Sequence, residues 1–188
     1  FECANECYYP LSFDSLDLPD TEVPPGHTTI SWLRELTYSR AVEIYGKRSA
    51  HPQAWQVIDH ELTIIEKLDF AGYFLIVHDI VDFCRRSGIM CQGRGSAANS
   101  AVCYCLGITA VDAIKHHMLF ERFLSPGRSG APDIDIDIDS ARREEVIQYV
   151  YRRYGRRRAA QVATVITYRS QLAYKDAARA LGIAPDSV

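Results

Sequence analysis

The sequence predicts an α/β or α+β domain with a helical preface. Three observations carry that expectation. Apolar runs at helical spacing come before any strand, a glycine-rich loop joins a short apolar run to a small-residue helix, and residues 132–139 alternate aspartate with isoleucine after Pro132. Residues 1–26, rich in Pro, Asp and Ser, are expected to be irregular.

The first helix is expected from about Thr29 to Tyr45, with Trp32, Leu33, Leu36, Val42 and Ile44 forming its apolar side and Gly46 ending it. A second spans about Pro52 to Leu68, where Trp55, Ile58, Leu62 and Ile65 recur at helical spacing. A more apolar third runs from Tyr73 to Arg86, closed by Arg85 and Arg86 in its last turn and by Gly88 after it. His78 and Asp79 lie inside it and read as satisfied helix contacts. Next come a strand at 89–91, a loop at 92–96 and a helix from Ala97 to Leu106. After a turn at 109–112, a short helix is expected at 118–124, a loop at 125–130 and a strand at 132–138. A helix from about Ala141 to Arg153, a strand near 163–167 and a last helix from Gln171 to Leu181 complete the order.

With 188 residues, 47% of them hydrophobic, the chain is long enough to bury one sizeable core. Neither a stretch of eighteen apolar residues nor a signal-peptide pattern is present, which predicts a cytoplasmic protein without a membrane partner. A start at Phe1 and a last stretch trailing past Gly182 read as cut ends. The six cysteines sit mostly in apolar segments without paired metal-ligand spacing, arguing against a zinc site or a disulfide framework. Charge is unevenly divided. Residues 1–70 hold 5 Lys+Arg against 12 Asp+Glu, whereas residues 140–188 hold 10 against 4. The basic end either solvates a helix or binds phosphate.

The acid run is the most informative segment. On a strand, alternate side chains share a face, so Asp133, Asp135, Asp137 and Asp139 would line one side and Ile134, Ile136 and Ile138 the other. Carboxylates repeating at about 7 Å repel one another, and a cation relieves that. Oxygen-only donors suit Mg²⁺ or Mn²⁺. A calcium loop of the EF-hand kind would need Gly where Ile138 stands, so that reading fails. An acidic solvent face remains the bland alternative to paired carboxylates serving phosphoryl transfer.

Residues 93–98 (Gly-Arg-Gly-Ser-Ala-Ala) also fit a loose dinucleotide pattern, with Asp112 about 20 residues on. No adequate strand precedes Asp112, and the loop lacks a Gly-Lys-Ser/Thr ending. What remains is general: small residues let backbone N–H groups and the Ser96 hydroxyl approach a triphosphate at a helix N-terminus, with Arg94 adding charge. A plain tight turn is the alternative.

Taken together, Gly72-Tyr-Phe-Leu-Ile-Val, residues 92–100 (Gln-Gly-Arg-Gly-Ser-Ala-Ala-Asn-Ser), Leu119-Phe-Glu-Arg-Phe-Leu and Pro132-Asp-Ile-Asp-Ile-Asp closely resemble the bacterial C-family DNA polymerases, the alpha subunit of DNA polymerase III. Residues 97–100 and the run from Arg143 to Tyr151 look more like the error-prone paralogue than the replicative subunit. The resemblance covers essentially the whole chain.

It implies a palm with the polymerase-beta-like nucleotidyltransferase fold over 1–165 and the start of a thumb over 166–188. It further implies Asp133 and Asp135 as catalytic ligands of two Mg²⁺ ions, with Mn²⁺ as a substitute, and Asp137 as a third acidic position. Gly95, Ser96 and Arg122, with Arg94 beside them, would hold the triphosphate of an incoming dNTP. Arg156, Arg157, Arg158, Arg169 and Lys175 would contact primer-template DNA. Other replication or mutagenesis proteins would bind regions absent here.

Two departures stand out. Ile138 replaces a usual Phe, and Asp139 extends the acidic face. The family's third catalytic aspartate belongs to a later strand that this sequence does not include, so the chain alone is expected to be inactive and to expose a sheet edge. A template-independent nucleotidyltransferase and a non-catalytic DNA-binding module remain as alternatives.

Overall fold

A computed structural model describes residues 19–125, 132–165 and 167–183. Most of the expected irregular start and of the expected 125–130 loop lies outside those residues. Three helices form the body: α1 (Thr29–Tyr45), α2 (Pro52–Lys67) and α3 (Ala71–Arg86). Their ends follow local chemistry. Thr28 and Ser31 make a reciprocal capping box at the start of α1. Pro52 opens α2, where its missing N–H is no loss. Beyond α3, Gly88 takes φ +64°, and the next N–H, of Ile89, returns to the carbonyl of Cys84.

The apolar stripes of these helices meet around Leu33, Ile58, Leu62, Ile65 and Phe74, joined by Val102, Leu106 and Phe123 from later in the chain. Each side chain of this size contributes about 1.5–3 kcal/mol when fully buried. His78 and Asp79 are structural, as read from the sequence. The first bonds the Leu106 carbonyl through Nδ1 at 3.1 Å, and the second accepts the hydroxyls of Tyr149 and Tyr154 at 2.8 and 2.7 Å.

Strand β1 (Cys91–Arg94) leads into a 3₁₀ turn (Gly95–Asn99) and then the five-residue helix α4 (Ala101–Cys105). A single helix from Ala97 to Leu106 is therefore corrected. Ser100 is extended, and its hydroxyl accepts the Cys103 N–H, so the α-helix starts at Ala101. The expected helix at 118–124 is likewise a 3₁₀ turn (Phe120–Arg122). Strand β2 (Asp135–Ile138) precedes α5 (Arg143–Tyr154), and α6 (Ser170–Ala180) comes last. The described residues of 163–167 form no strand: Val165 is exposed and has no neighbouring strand to pair with.

Among the described residues the sheet has two strands, antiparallel, in the register Cys91↔Ile138, Gln92↔Asp137, Gly93↔Ile136 and Arg94↔Asp135. This is a helical domain with a small sheet, consistent with α+β. Ile134 and Ile136 pack on the main core and Ile138 on a second cluster with Cys84, Ile89 and Val146. Among the described residues no helix is long and apolar enough to cross a membrane.

Gly93 makes the sheet possible. Its N–H donates to the Ile108 carbonyl at 2.7 Å, and a Cβ there would collide with that oxygen. Gly93→Ala should therefore cost about 1–3 kcal/mol, read as a lowered midpoint in chemical denaturation of the chain. An unchanged midpoint would contradict the close approach.

Glu61 on α2 is buried, and burial pushes its carboxyl up to about 7 despite the three donors it accepts. His60 beside it, and the thiols of Cys103 and Cys105, are the other titratable groups that act on it or respond to it. The folded chain thus keeps a proton that the unfolded chain releases near its ordinary value of 4.5. Stability contributed by this group falls as pH rises from about 4.5 to about 7. Carboxylates held below their ordinary values, such as Asp59 beside Arg48, act with the opposite sign at lower pH. Denaturation of the unsubstituted chain should show a decline in stability over pH 5 to 7 that Glu61→Gln lacks, and the same decline in both would contradict the buried proton.

Candidate nucleotide and metal site

The β1–β2 register decides what meets what. Arg94 ends β1 opposite Asp135, so the chain leaving β1 enters the Gly95–Asn99 turn directly beside the acid strand. Gly95 adopts φ +67°, a conformation that side chains disfavour, and a Cβ on it would stand 3.4 Å from Asp135 Oδ2. The Ser96 hydroxyl donates to the Asp133 carbonyl at 3.1 Å, tying turn and strand together. The Phe120–Arg122 turn packs against the Gly95–Asn99 turn. Arg122 on it is exposed and has no ion pair among the described residues. Three stretches far apart in sequence thus converge.

The acid row is shorter than its pattern. Regular pairing covers Asp135 and Asp137 only. Asp133 precedes the strand, is exposed, and offers its side chain to no described partner. Asp139 leaves the row: its N–H reaches the Met90 carbonyl at 2.9 Å and its carboxylate accepts the Ala141 N–H at 3.0 Å, making a turn into α5. β1 turns away at Gly95, so the ladder has no partner beyond Asp135.

Arg94 is turned toward the acids. Its Nε donates to Asp137 Oδ1 at 3.0 Å, and NH1 lies 3.7 Å from Asp135 Oδ2. These side chains are 60% exposed for Arg94, 45% for Asp135 and 66% for Asp137, so each pair contributes at most about 1 kcal/mol. Among the described residues no three acidic, His or Cys side chains close around a point that could hold a metal ion. The all-oxygen donors of Asp133 and Asp135 fit a hard divalent cation in kind, and they fill only part of its coordination. A bound cation would need further ligands besides these two.

The glycine turn is not the start of an α-helix, so the expectation of a helix N-terminus at Ser96 does not hold. Backbone N–H groups and a hydroxyl remain available for a phosphate. Of the basic residues, Arg156 follows α5 and stacks over the Tyr151 ring at 4.4 Å. Arg156, Arg157, Arg158, Arg169 and Lys175 are all exposed.

Two contributors escape sequence reasoning. Tyr73 on α3 accepts the Ile134 N–H through its hydroxyl at 3.2 Å, holding the strand where β1 no longer pairs with it. Burial raises its phenol pKa, and Asp133 and Asp135 raise it further. No local pattern marks this role. Glu61 is different: an acid between Ile58 and Leu62 in an apolar stripe is a legible anomaly. In Tyr73→Phe the Ile134 amide loses a bond worth about 1 kcal/mol. Its hydrogen exchange should accelerate about fivefold, and unchanged exchange would show that the hydroxyl does not restrain the strand.

The sequence model of the bacterial DNA polymerase III alpha NTPase domain matches residues 31–188. Similar proteins include the error-prone DNA polymerase of Mycolicibacterium paratuberculosis, 59% identical over 96% of this chain and 17% of that protein. The error-prone DNA polymerase of Nocardia farcinica is 59% identical over 97% of the chain and 16% of its own length. That of Mycobacterium tuberculosis strain H37Rv is 58% identical over 98% and 17%. The chain thus spans about one sixth of the length of these relatives. A family match over residues 31–188 and this identity over nearly the whole chain lead to one conclusion: the chain belongs to the bacterial DNA polymerase III alpha family.

Proposed function

We propose that the chain is the part of a template-directed DNA polymerase that carries two of its metal-binding carboxylates and its triphosphate turn, in a protein of the error-prone kind. The observation that carries this reading is the convergence just described. The β1–β2 register sets Gly95 and Ser96 against Asp133 and Asp135, with the exposed Arg122 on the adjoining turn.

In the reaction a primer 3′-oxygen bonds to the α-phosphorus of a dNTP, and the bond to pyrophosphate breaks. Two Mg²⁺ ions, or Mn²⁺ in their place, supply charge neutralisation and a lowered pKa for the attacking hydroxyl when bound. Asp133 and Asp135 would hold them. Asp137 is a third acidic group beside them and shares Arg94 with Asp135. At Gly95 the absence of a side chain leaves backbone N–H groups open to the phosphates. Ser96 and Arg122 orient the triphosphate by hydrogen bonding and charge. Arg94 can join them by giving up pairs that are exposed and weak. Residues 1–165 belong to a polymerase-beta-like palm, and 166–188 begin a thumb. Arg156, Arg157, Arg158, Arg169 and Lys175 grip primer-template DNA through its backbone, which makes binding salt-dependent. A cytoplasmic location and damage-tolerant synthesis, with partners bound through other regions, complete the proposal.

Primer extension with Mg²⁺ and four deoxynucleotides tests it in the full-length parent. Asp133→Ala and Asp135→Ala should each lower extension at least about 1,000-fold, the scale of removing an essential electrostatic group, while primer-template affinity stays within about threefold. Substantial extension by either variant sinks the metal assignment. An inert, folded parent instead favours template-independent transfer.

A further inference from the structure

Glu61 is 1% exposed and lies in the apolar stripe of α2. Its Oε2 accepts the Ser100 hydroxyl at 2.7 Å and the Val102 N–H at 3.0 Å, while Oε1 accepts the Ala101 N–H at 2.9 Å. All three donors lie on the segment that follows the glycine turn. Ser100 already caps α4 by accepting the Cys103 N–H at 3.1 Å, so capping alone does not call for a second, buried acid. Burying a carboxylate is costly unless it is fully bonded. A five-residue helix, moreover, cannot hold itself in place.

From this anchor a hydrogen-bonded path runs to the acids. The Ser100 N–H reaches the Ala97 carbonyl at 3.2 Å, Asn99 Nδ2 donates to the Ser96 carbonyl at 3.0 Å, and the Ser96 hydroxyl donates to the Asp133 carbonyl. The turn is therefore fastened at one end to α2 and at the other to the acid strand.

We infer that Glu61 is a positioning residue for the incoming nucleotide: its carboxylate holds the Gly95–Asn99 turn so that Ser96 and the turn's N–H groups face the triphosphate beside Asp133 and Asp135. This rests on the polymerase reading above. Above about pH 7, where it is ionised, the carboxylate suits the task because it accepts every donor at once. Glutamine has one acceptor oxygen and must present an N–H to part of the cluster. Loosening the anchor weakens triphosphate binding while leaving the metal carboxylates and the basic end in place.

The test compares the full-length parent with Glu61→Gln, Ser100→Ala and the double variant. Glu61→Gln should raise KM for dNTP about tenfold with kcat within about threefold, a loss of binding rather than of chemistry. The equilibrium Kd for a dNTP on a dideoxy-terminated primer with Ca²⁺ should shift alike. The double variant should be no weaker than Glu61→Gln alone, because both act through one cluster. Amide exchange at Ser96 to Val102 should accelerate in Glu61→Gln, a readout that survives even if the parent proves inert and the polymerase reading fails. If Glu61→Gln does not fold, Glu61→Asp, which keeps the charge on a shorter arm, is measured the same way. A folded variant with parental KM, Kd and exchange overturns the inference. So does a loss falling equally on kcat and primer-template affinity.

Discussion

Four residue pairs of antiparallel strand decide the geometry of this chain. Because Arg94 stands opposite Asp135 and Cys91 opposite Ile138, the glycine turn after β1 must emerge beside the acid strand. A slip of one residue would turn the isoleucines to solvent and the aspartates into the core. The register is held from both faces: Ile134, Ile136 and Ile138 pack inward, while Arg94 bridges two carboxylates outward. At the back of β1, the bond from Gly93 to the Ile108 carbonyl prevents sliding. So short a ladder is stable only because helices carry it, α3 behind β1 and the main core behind the isoleucines.

The helical body serves the site through two tethers. Tyr73 on α3 reaches the start of the acid strand, and Glu61 on α2 reaches the segment following the glycine turn. Both hold backbone groups, so they fix the path of the chain and leave Asp133, Asp135 and Ser96 Oγ to face outward. The acids and the turn are thereby each tethered to a helix of their own, while the β1–β2 register and the bond from Ser96 to the Asp133 carbonyl join them to each other.

Much of this was legible in the sequence where the signal is local. The bounds of α1 follow from its apolar residues and Gly46, although Val42, expected on the apolar side, is exposed, and the inward isoleucines follow from strict alternation. Tertiary partners decided the rest. Ser100 divides an apparently continuous small-residue helix because its hydroxyl caps Ala101 onward. Residues near 163–167 have strand-like composition and find no neighbouring strand among the described residues. Asp139 fits the acid pattern, yet it lies opposite Met90, before β1 begins, and its carboxylate closes a turn into α5. That Arg94 leans on Asp135 and Asp137 needs the register, which no single segment contains.

The central claim is that the acid strand and the glycine turn form one site for a metal–nucleotide complex. Electron paramagnetic resonance of Mn²⁺ bound to the full-length protein on a dideoxy-terminated primer tests it most directly. A dNTP should tighten Mn²⁺ binding in the parent, and this coupling should disappear in Asp133→Ala/Asp135→Ala, as linkage between neighbouring ligands requires. Mn²⁺ binding that responds to dNTP equally in both proteins would place the site elsewhere.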